Sequence, residues 1–148
     1  MDKEVIRRKR RARRLALQAL YQWQMTEQEP YEVEAQFRAV KNLDRVDVTY
    51  FSEVFKGIIE HTEELDRLFI EYLDREISVL NPVELAIIRI GTYELAYSLE
   101  LPWRVVLDEA VNMGREYGST DGHKYVNGVL NQVAHKVRAV EIKAERPE

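Results

Sequence analysis

The sequence predicts an all-α protein of about seven helices, arranged as two packed antiparallel helical bundles that divide near residue 62 of one 148-residue domain. Three observations carry that expectation. Apolar residues recur at helical spacing along nearly the whole chain. No stretch shows the sustained period-two alternation, bounded by hairpin turns, that a sheet needs. The segments between helical runs are short, which makes consecutive helices antiparallel neighbours. The length fits one domain and is enough to bury a core without disulfides or metal staples.

Each element has its own local warrant. A first helix is predicted over 8–26, with Ala12, Ala16, Ala19, Leu20 and Trp23 on one face, and Pro30 ends that unit. A second, over 31–42, presents Val33, Phe37 and Val40. A third begins near Asp47, a suitable N-cap, with Phe51, Val54, Phe55 and Ile58 inward. The fourth runs over 63–74, with Leu65, Leu68, Phe69 and Tyr72 as its apolar set. Asn81-Pro82-Val83-Glu84 opens a fifth, ending near 98: asparagine caps, proline takes the first helical position, and glutamate at the third favours the positive helix end. The Glu100–Trp103 loop reverses the chain into a sixth helix over 107–117, which Gly118 can terminate in a left-handed conformation. Ser119-Thr120-Asp121 caps a last helix over 122–138 that buries Val126, Val129, Leu130, Val133 and Val137, and the polar tail from Glu141 to Glu148 is expected to fray.

Composition narrows the function. With 45% hydrophobic and 32% charged residues the chain reads as a soluble globular protein, and no segment approaches the ~18 apolar residues of a membrane span. The basic N-terminus lacks the apolar core and small-residue cleavage site of an export signal, so a cytoplasmic protein without membrane association is expected. The absence of cysteine removes disulfides, thiolate metal sites and cysteine nucleophiles. His61, His123 and His135 are isolated, and no metal-binding His-Glu-x-x-His spacing, nucleophile elbow or phosphate-cradling glycine loop occurs. Neither catalytic residues nor a metal or cofactor are therefore expected. Acidic pairs such as Glu63-Glu64 and Asp108-Glu109 read as charges opposing helix dipoles near helix starts.

The net charge of −4 conceals an asymmetry. Residues 1–14 carry eight Lys or Arg against Asp2 and Glu4, a local +6, while the rest of the chain holds 14 basic and 24 acidic residues. A basic arm on an acidic body fits a localised polyanion site; a solvated, frayed terminus is the competing reading. At about 100° per residue, Arg10, Arg11, Arg14, Gln18 and Tyr21 fall within roughly 60° of Arg7 on one face, opposite the alanine and leucine stripe. Guanidinium groups fork onto phosphates, and an adjacent exposed tyrosine can stack on an unpaired base for about 1–3 kcal/mol. That combination suits single-stranded RNA better than duplex DNA, whose major-groove readers need base-edge donors on a helix clear of the body. The alternative is a tyrosine that packs at the core margin. In the last helix, Lys124, Asn127 and Asn131 form a second polar stripe beside Asp121, which by itself reads first as capping and a solvated face.

Four ordered blocks then become recognisable: the arginine-rich opening into ALQALYQWQ at 16–24, VELAIIRIGTYEL at 83–95, LDEAV at 107–111 and HKYVNGVLNQVA at 123–134. Together, from about Arg8 to Val137, they resemble the NusB family of transcription antitermination factors. The resemblance implies a binding protein rather than an enzyme. It implies a heterodimer with NusE, a small-subunit ribosomal protein, that binds single-stranded boxA in ribosomal RNA leaders and holds it to the elongating RNA polymerase antitermination complex. By the same resemblance Arg7, Arg8, Arg10, Arg11, Arg13, Arg14 and Tyr21 face the RNA, Asp121 and Lys124 match positions tied to RNA binding, and Glu84 matches a position tied to the NusE contact. Glu84 keeps its reading as a helix-start residue alongside. An exposed partner surface is also a surface for self-association, so a homodimer of the free chain is carried as an expectation.

The chain departs from the family pattern at Tyr125, where phenylalanine is usual, at Asn131, where aspartate is usual, and at Gly122, where serine is often found. Gly122 bears directly on the geometry beside Asp121. Three competing readings remain: a protein-only helical adaptor, marked by weak salt dependence of RNA binding; the RNA-targeting domain of a methyltransferase, disfavoured because no Rossmann-type module follows; and an independent hydrolase or transferase, for which no convergent catalytic constellation exists.

Overall fold

The computed structural model describes residues 2–40 and 42–145, and among these it contains eight α-helices, three short 3-10 turns and no strand. The chain divides into two compact units, Met1–His61 and Thr62–Glu148.

The first unit holds α1 (Lys3–Met25), α2 (Pro30–Arg38), a 3-10 turn at Leu43–Arg45 and α3 (Val48–Glu60). The helix α1 begins five residues before the expected boundary at 8 because the Asp2 side chain caps it, accepting from the Glu4 amide at 3.0 Å. The basic arm is therefore helical rather than frayed. Its inner stripe of Ala12, Ala16, Leu17, Ala19 and Leu20 is small enough to admit α3 closely, where Phe51, Val54, Phe55 and Ile58 are all buried. Trp23 is only half-buried. Pro30 does not end the first helical unit; α1 has already stopped at Met25, and Pro30 opens α2 at a first-turn position that needs no amide. The helix α2 ends at Arg38, short of the expected 42, leaving Val40 half exposed; residue 41 lies outside the described residues. Asp47 caps α3 as expected, accepting from the Tyr50 amide at 3.0 Å.

In the second unit, α4 (Thr62–Phe69) runs into 3-10 turns at Ile70–Tyr72 and Ile77–Val79, followed by α5 (Pro82–Tyr97), α6 (Trp103–Tyr117), α7 (Gly122–Val137) and α8 (Ala139–Glu145). The fourth helix breaks earlier than the sequence suggests, and Tyr72 is only half-buried. Packed by α4, α6 and α7, α5 buries residues on every side, including Ile87, Ile88, Ile90 and Leu95. Of its charged members, the Arg89 guanidinium forks onto Asp66 at 3.0 and 2.9 Å. Gly91 lets α7 approach, since a Cβ there would lie 2.9 Å from Leu130 Cδ2.

Four expectations fail here for identifiable reasons. Trp103 starts α6 instead of sitting in a loop; its amide donates to Glu141 Oε2 at 3.0 Å and its indole to Glu145 Oε2 at 3.1 Å. Those acceptors belong to α8, which makes the expected frayed tail helical through Glu145; residues 146–148 lie outside the described residues. With α6 starting at 103, Glu109 is buried in mid-helix instead of standing near a helix start. Gly118 is extended (φ −86°, ψ −178°) rather than left-handed, and its lack of a side chain serves space: a Cβ would meet the Gly114 carbonyl oxygen at 2.7 Å.

Candidate nucleic-acid interface

On α1 the arginines separate into three groups. Arg7, Arg10 and Gln18 are exposed, Arg14 is half-buried, and Tyr21, on the same face, is 41% exposed. Arg7 lies 3.9 Å from Glu4, a long surface pair of small energetic weight, and Arg14 Nη1 donates to the Arg10 carbonyl at 3.2 Å. These are guanidinium groups on a rigid helix with an aromatic ring at its end, the arrangement that grips phosphates and offers a stacking surface.

Arg8 and Arg11 form the second group. Both are half-buried and donate to main-chain carbonyls of the turn after α2: Arg8 to Asp44 at 2.5 Å and Val46 at 3.0 Å, Arg11 to Arg45 at 3.1 Å. The third group is Arg13 alone. It was expected to face RNA and instead is 3% exposed, its guanidinium carbon 5.6 Å from the centroid of the buried Tyr50 ring, which Lys9 Nζ approaches to 4.8 Å. The helical repeat explains this: Arg13 lies between Ala12, Ala16 and Leu17 on the buried side, and a resemblance that counts arginines does not sort them by angle. Cation–π contact and packing along its aliphatic stem make it a residue that orients α1 on α3.

In the second unit, Asp121 and Lys124 are exposed on the first turn of α7, with side chains 78% and 73% accessible and 3.5 Å apart. Asp121 takes the N-cap position without a side-chain cap bond, so its carboxylate is spent on Lys124 and solvent. Asn127 is exposed further along, and beside it Gly128 has open space around it.

Glu84 departs from a surface contact. It is 6% exposed, and its Oε2 accepts both the Ser119 amide at 2.9 Å and the Ser119 hydroxyl at 2.8 Å. Asn81 supplies the helix cap, accepting from the Val83 and Glu84 amides. The Glu84 carboxylate is thereby freed to hold the α6–α7 loop. Gly122 is part of that fit, since a Cβ there would lie 2.7 Å from the Glu84 carboxyl carbon. The serine common in the family at this position would need a different loop path, so the glycine and the Glu84–Ser119 bonds belong together. Tyr125 also has a use for its additional hydroxyl, which accepts from the Asp74 amide at 3.4 Å while Arg75 lies over its ring at 5.2 Å. Burial raises the Tyr125 pKa, and hydrogen bonding from Arg75 lowers that of Asp74 to about 2.

Among the described residues no cluster of three or more His, Cys, Asp or Glu side chains is placed to hold a metal ion, and no helix is long and apolar enough to cross a membrane. The family model that matches is the NusB family, over residues 10–135. The transcription antitermination protein NusB of Legionella pneumophila is 52% identical over 142 residues, covering 96% of this chain and 97% of the relative. That of Acinetobacter baumannii is 47% identical over 133 residues, covering 90% and 89%. Among solved structures, T. maritima NusB aligns with a TM-score of 0.75 at 27% identity over 86% of this chain and 90% of that one. A crystal structure of the antitermination factors NusB and NusE in complex with dsRNA aligns with a TM-score of 0.76 at 26% identity, over 86% and 96%. An all-helical fold matching these structures and near-full-length identity to these relatives carry one conclusion: the chain belongs to the NusB family of transcription antitermination proteins.

Proposed function

We propose that this chain works with NusE to bind boxA RNA of ribosomal RNA leaders and tether it to elongating RNA polymerase in the cytoplasm, with affinity rather than catalysis as its output. The observation that carries the reading is the α1 face: Arg7, Arg10 and Arg14 in one helical register with exposed Gln18 and Tyr21. The structurally similar NusB found with NusE and dsRNA supports the choice of partners. Tyr21 favours an unpaired base as the stacking partner, whereas the duplex in that related complex favours a second reading in which the same arginines track an RNA double helix.

Within this reading Lys124 contributes a phosphate contact and Asp121 tempers it by holding the ammonium. Glu84 serves the NusE surface indirectly, by fixing the loop at 118–122 through Ser119. The test is fluorescence anisotropy of labelled boxA RNA, a scrambled RNA and an RNA duplex, with and without NusE, over a range of salt. Salt-sensitive binding to boxA that NusE tightens selectively supports the reading. Preference for the duplex replaces single-strand recognition, and no RNA binding in any combination leaves a protein-only adaptor, whose self-association as a homodimer light scattering would reveal. Asp121→Asn should tighten binding if Asp121 tempers the contact; unchanged binding removes that role.

A further inference from the structure

The turn after α2 is fastened to the basic helix by that helix's own arginines. Arg8 reaches the carbonyls of Asp44 and Val46, Arg11 reaches that of Arg45, and the Asp47 amide donates back to the Arg8 carbonyl at 3.2 Å. Four bonds along four consecutive residues hold the backbone of 44–47 against one turn of α1. The entry to this turn is Asn42 in the left-handed region (φ 69°), a conformation asparagine tolerates better than most residues.

The acceptors are neutral. A guanidinium has five N–H donors, of which Arg8 commits two and Arg11 one, and bonding to carbonyls leaves the charge uncancelled. Arg45 rides on the clamped turn and is exposed, and its own carbonyl oxygen sits 3.1 Å from the Arg11 guanidinium. None of Arg8, Arg11 and Arg45 is ion-paired with a carboxylate among the described residues. Nearby, Asp44 is the exposed acid of the turn and offsets only part of this charge. Two cations held on neutral bonds, with exposed Arg45 on the turn they hold, in a chain of net −4, form a site whose electrostatic complement is an anion with repeated charge.

We propose that Arg45 is an RNA-backbone contact and that Arg8 and Arg11 are positioning residues that deliver it, so that the RNA surface is a composite of α1 and the clamped turn. This rests on the reading of α1 as an RNA-binding face. A phosphate contact carries no sequence information, so Arg45 strengthens binding to boxA and to scrambled RNA alike.

The experiment measures RNA anisotropy with the full chain and NusE for Arg45→Ala, Asp44→Asn and Arg10→Ala, over a range of salt. Arg45→Ala should weaken binding about 3- to 10-fold at low salt and lower the log–log salt slope by about 0.7–0.9, the share of one phosphate. Asp44→Asn should tighten binding, and the melting temperature of Arg45→Ala should stay unchanged. Unaltered affinity and slope in Arg45→Ala, with Arg10→Ala still weakened, overturns the composite surface while leaving the α1 reading in place. If wild type binds no RNA, both fall. Positioning is read separately in the charge-preserving Arg8→Lys, Arg11→Lys background, where the fork onto two carbonyls is lost. There the Arg45→Ala effect should shrink toward onefold; an undiminished effect would show that the turn holds Arg45 in place without the clamp.

Discussion

Helices α1 and α5 carry charge to opposite ends. Of the 16 residues of α5, eleven are buried, and they include Glu84, Arg89 and Glu94. Two of these charges, Glu84 and Arg89, are consumed inside the protein by Ser119 and Asp66 in the bonds described above. Across its 23 residues α1 buries six, and of its arginines only Arg13. A helix packed on all sides turns its charges into architecture, whereas one packed on a single stripe leaves them for a ligand. Arginine count or proximity to a family motif does not separate the two cases; the number of faces covered does.

The sharpest break of that comparison is at a buried charge of the second unit. Arg138, 5% exposed, donates to the carbonyls of Leu95, Leu101, Glu94 and Ser98 and to Glu141, closing the end of α5. Arg138→Ala should cost about 3–5 kcal/mol, because it leaves buried carbonyls without donors. Urea unfolding checks this, and a loss below 1 kcal/mol on the order of a surface substitution would mean that water replaces the guanidinium. Gly122→Ala should come next, at about 1–3 kcal/mol, since its methyl enters the space of the Glu84 carboxylate. Glu84→Ala in the same background should relieve that clash, and simple additivity of the two would contradict the shared loop geometry.

On the outward side the expectation reverses. Arg10→Ala should change stability by no more than about 0.5 kcal/mol while lowering the salt slope of RNA binding by about 1. Arg13→Ala should do the opposite, lowering the melting temperature through lost packing on Tyr50 and leaving the salt slope nearly intact. Equal slopes for the two variants would erase the division of α1 into inner and outer arginines. The smallest effect concerns pH. The hydrogen bond from Arg75 holds the Asp74 carboxyl down at about 2 in the folded protein, below the ordinary aspartate value of 3.8. Its depressed folded value means that the stabilisation is present above the unfolded pKa and is lost as pH falls through about 2. Arg75→Ala should return the Asp74 titration toward the ordinary carboxylate range, which carboxyl-detected NMR follows directly.

Much of the architecture was legible because it is written locally. Asp47 and Asn81 act at caps through side chains a few residues from the amides they serve. The apolar spacing at Phe51, Val54, Phe55 and Ile58 identifies an inward stripe with no knowledge of the partner helix. The basic face of α1 was visible for the same reason, since helical angle is a property of one segment. Long-range contacts were hidden. Nothing near Arg8 or Arg11 in the chain indicates that their acceptors lie at 44–46, and nothing near Trp103 indicates that Glu141 and Glu145 would anchor it.

The sequence by itself determined the helical fold, the family and the face of α1 on which arginines, Gln18 and Tyr21 gather, because each follows from periodicity or from blocks of adjacent residues. Only the tertiary structure decided which charges remain available: it buried Arg13 on Tyr50, closed Glu84 onto Ser119 and brought Arg45 beside Arg11. The physical reason is that a charge's role depends on desolvation and on acceptors many residues away in the chain, and neither exists until the helices have packed.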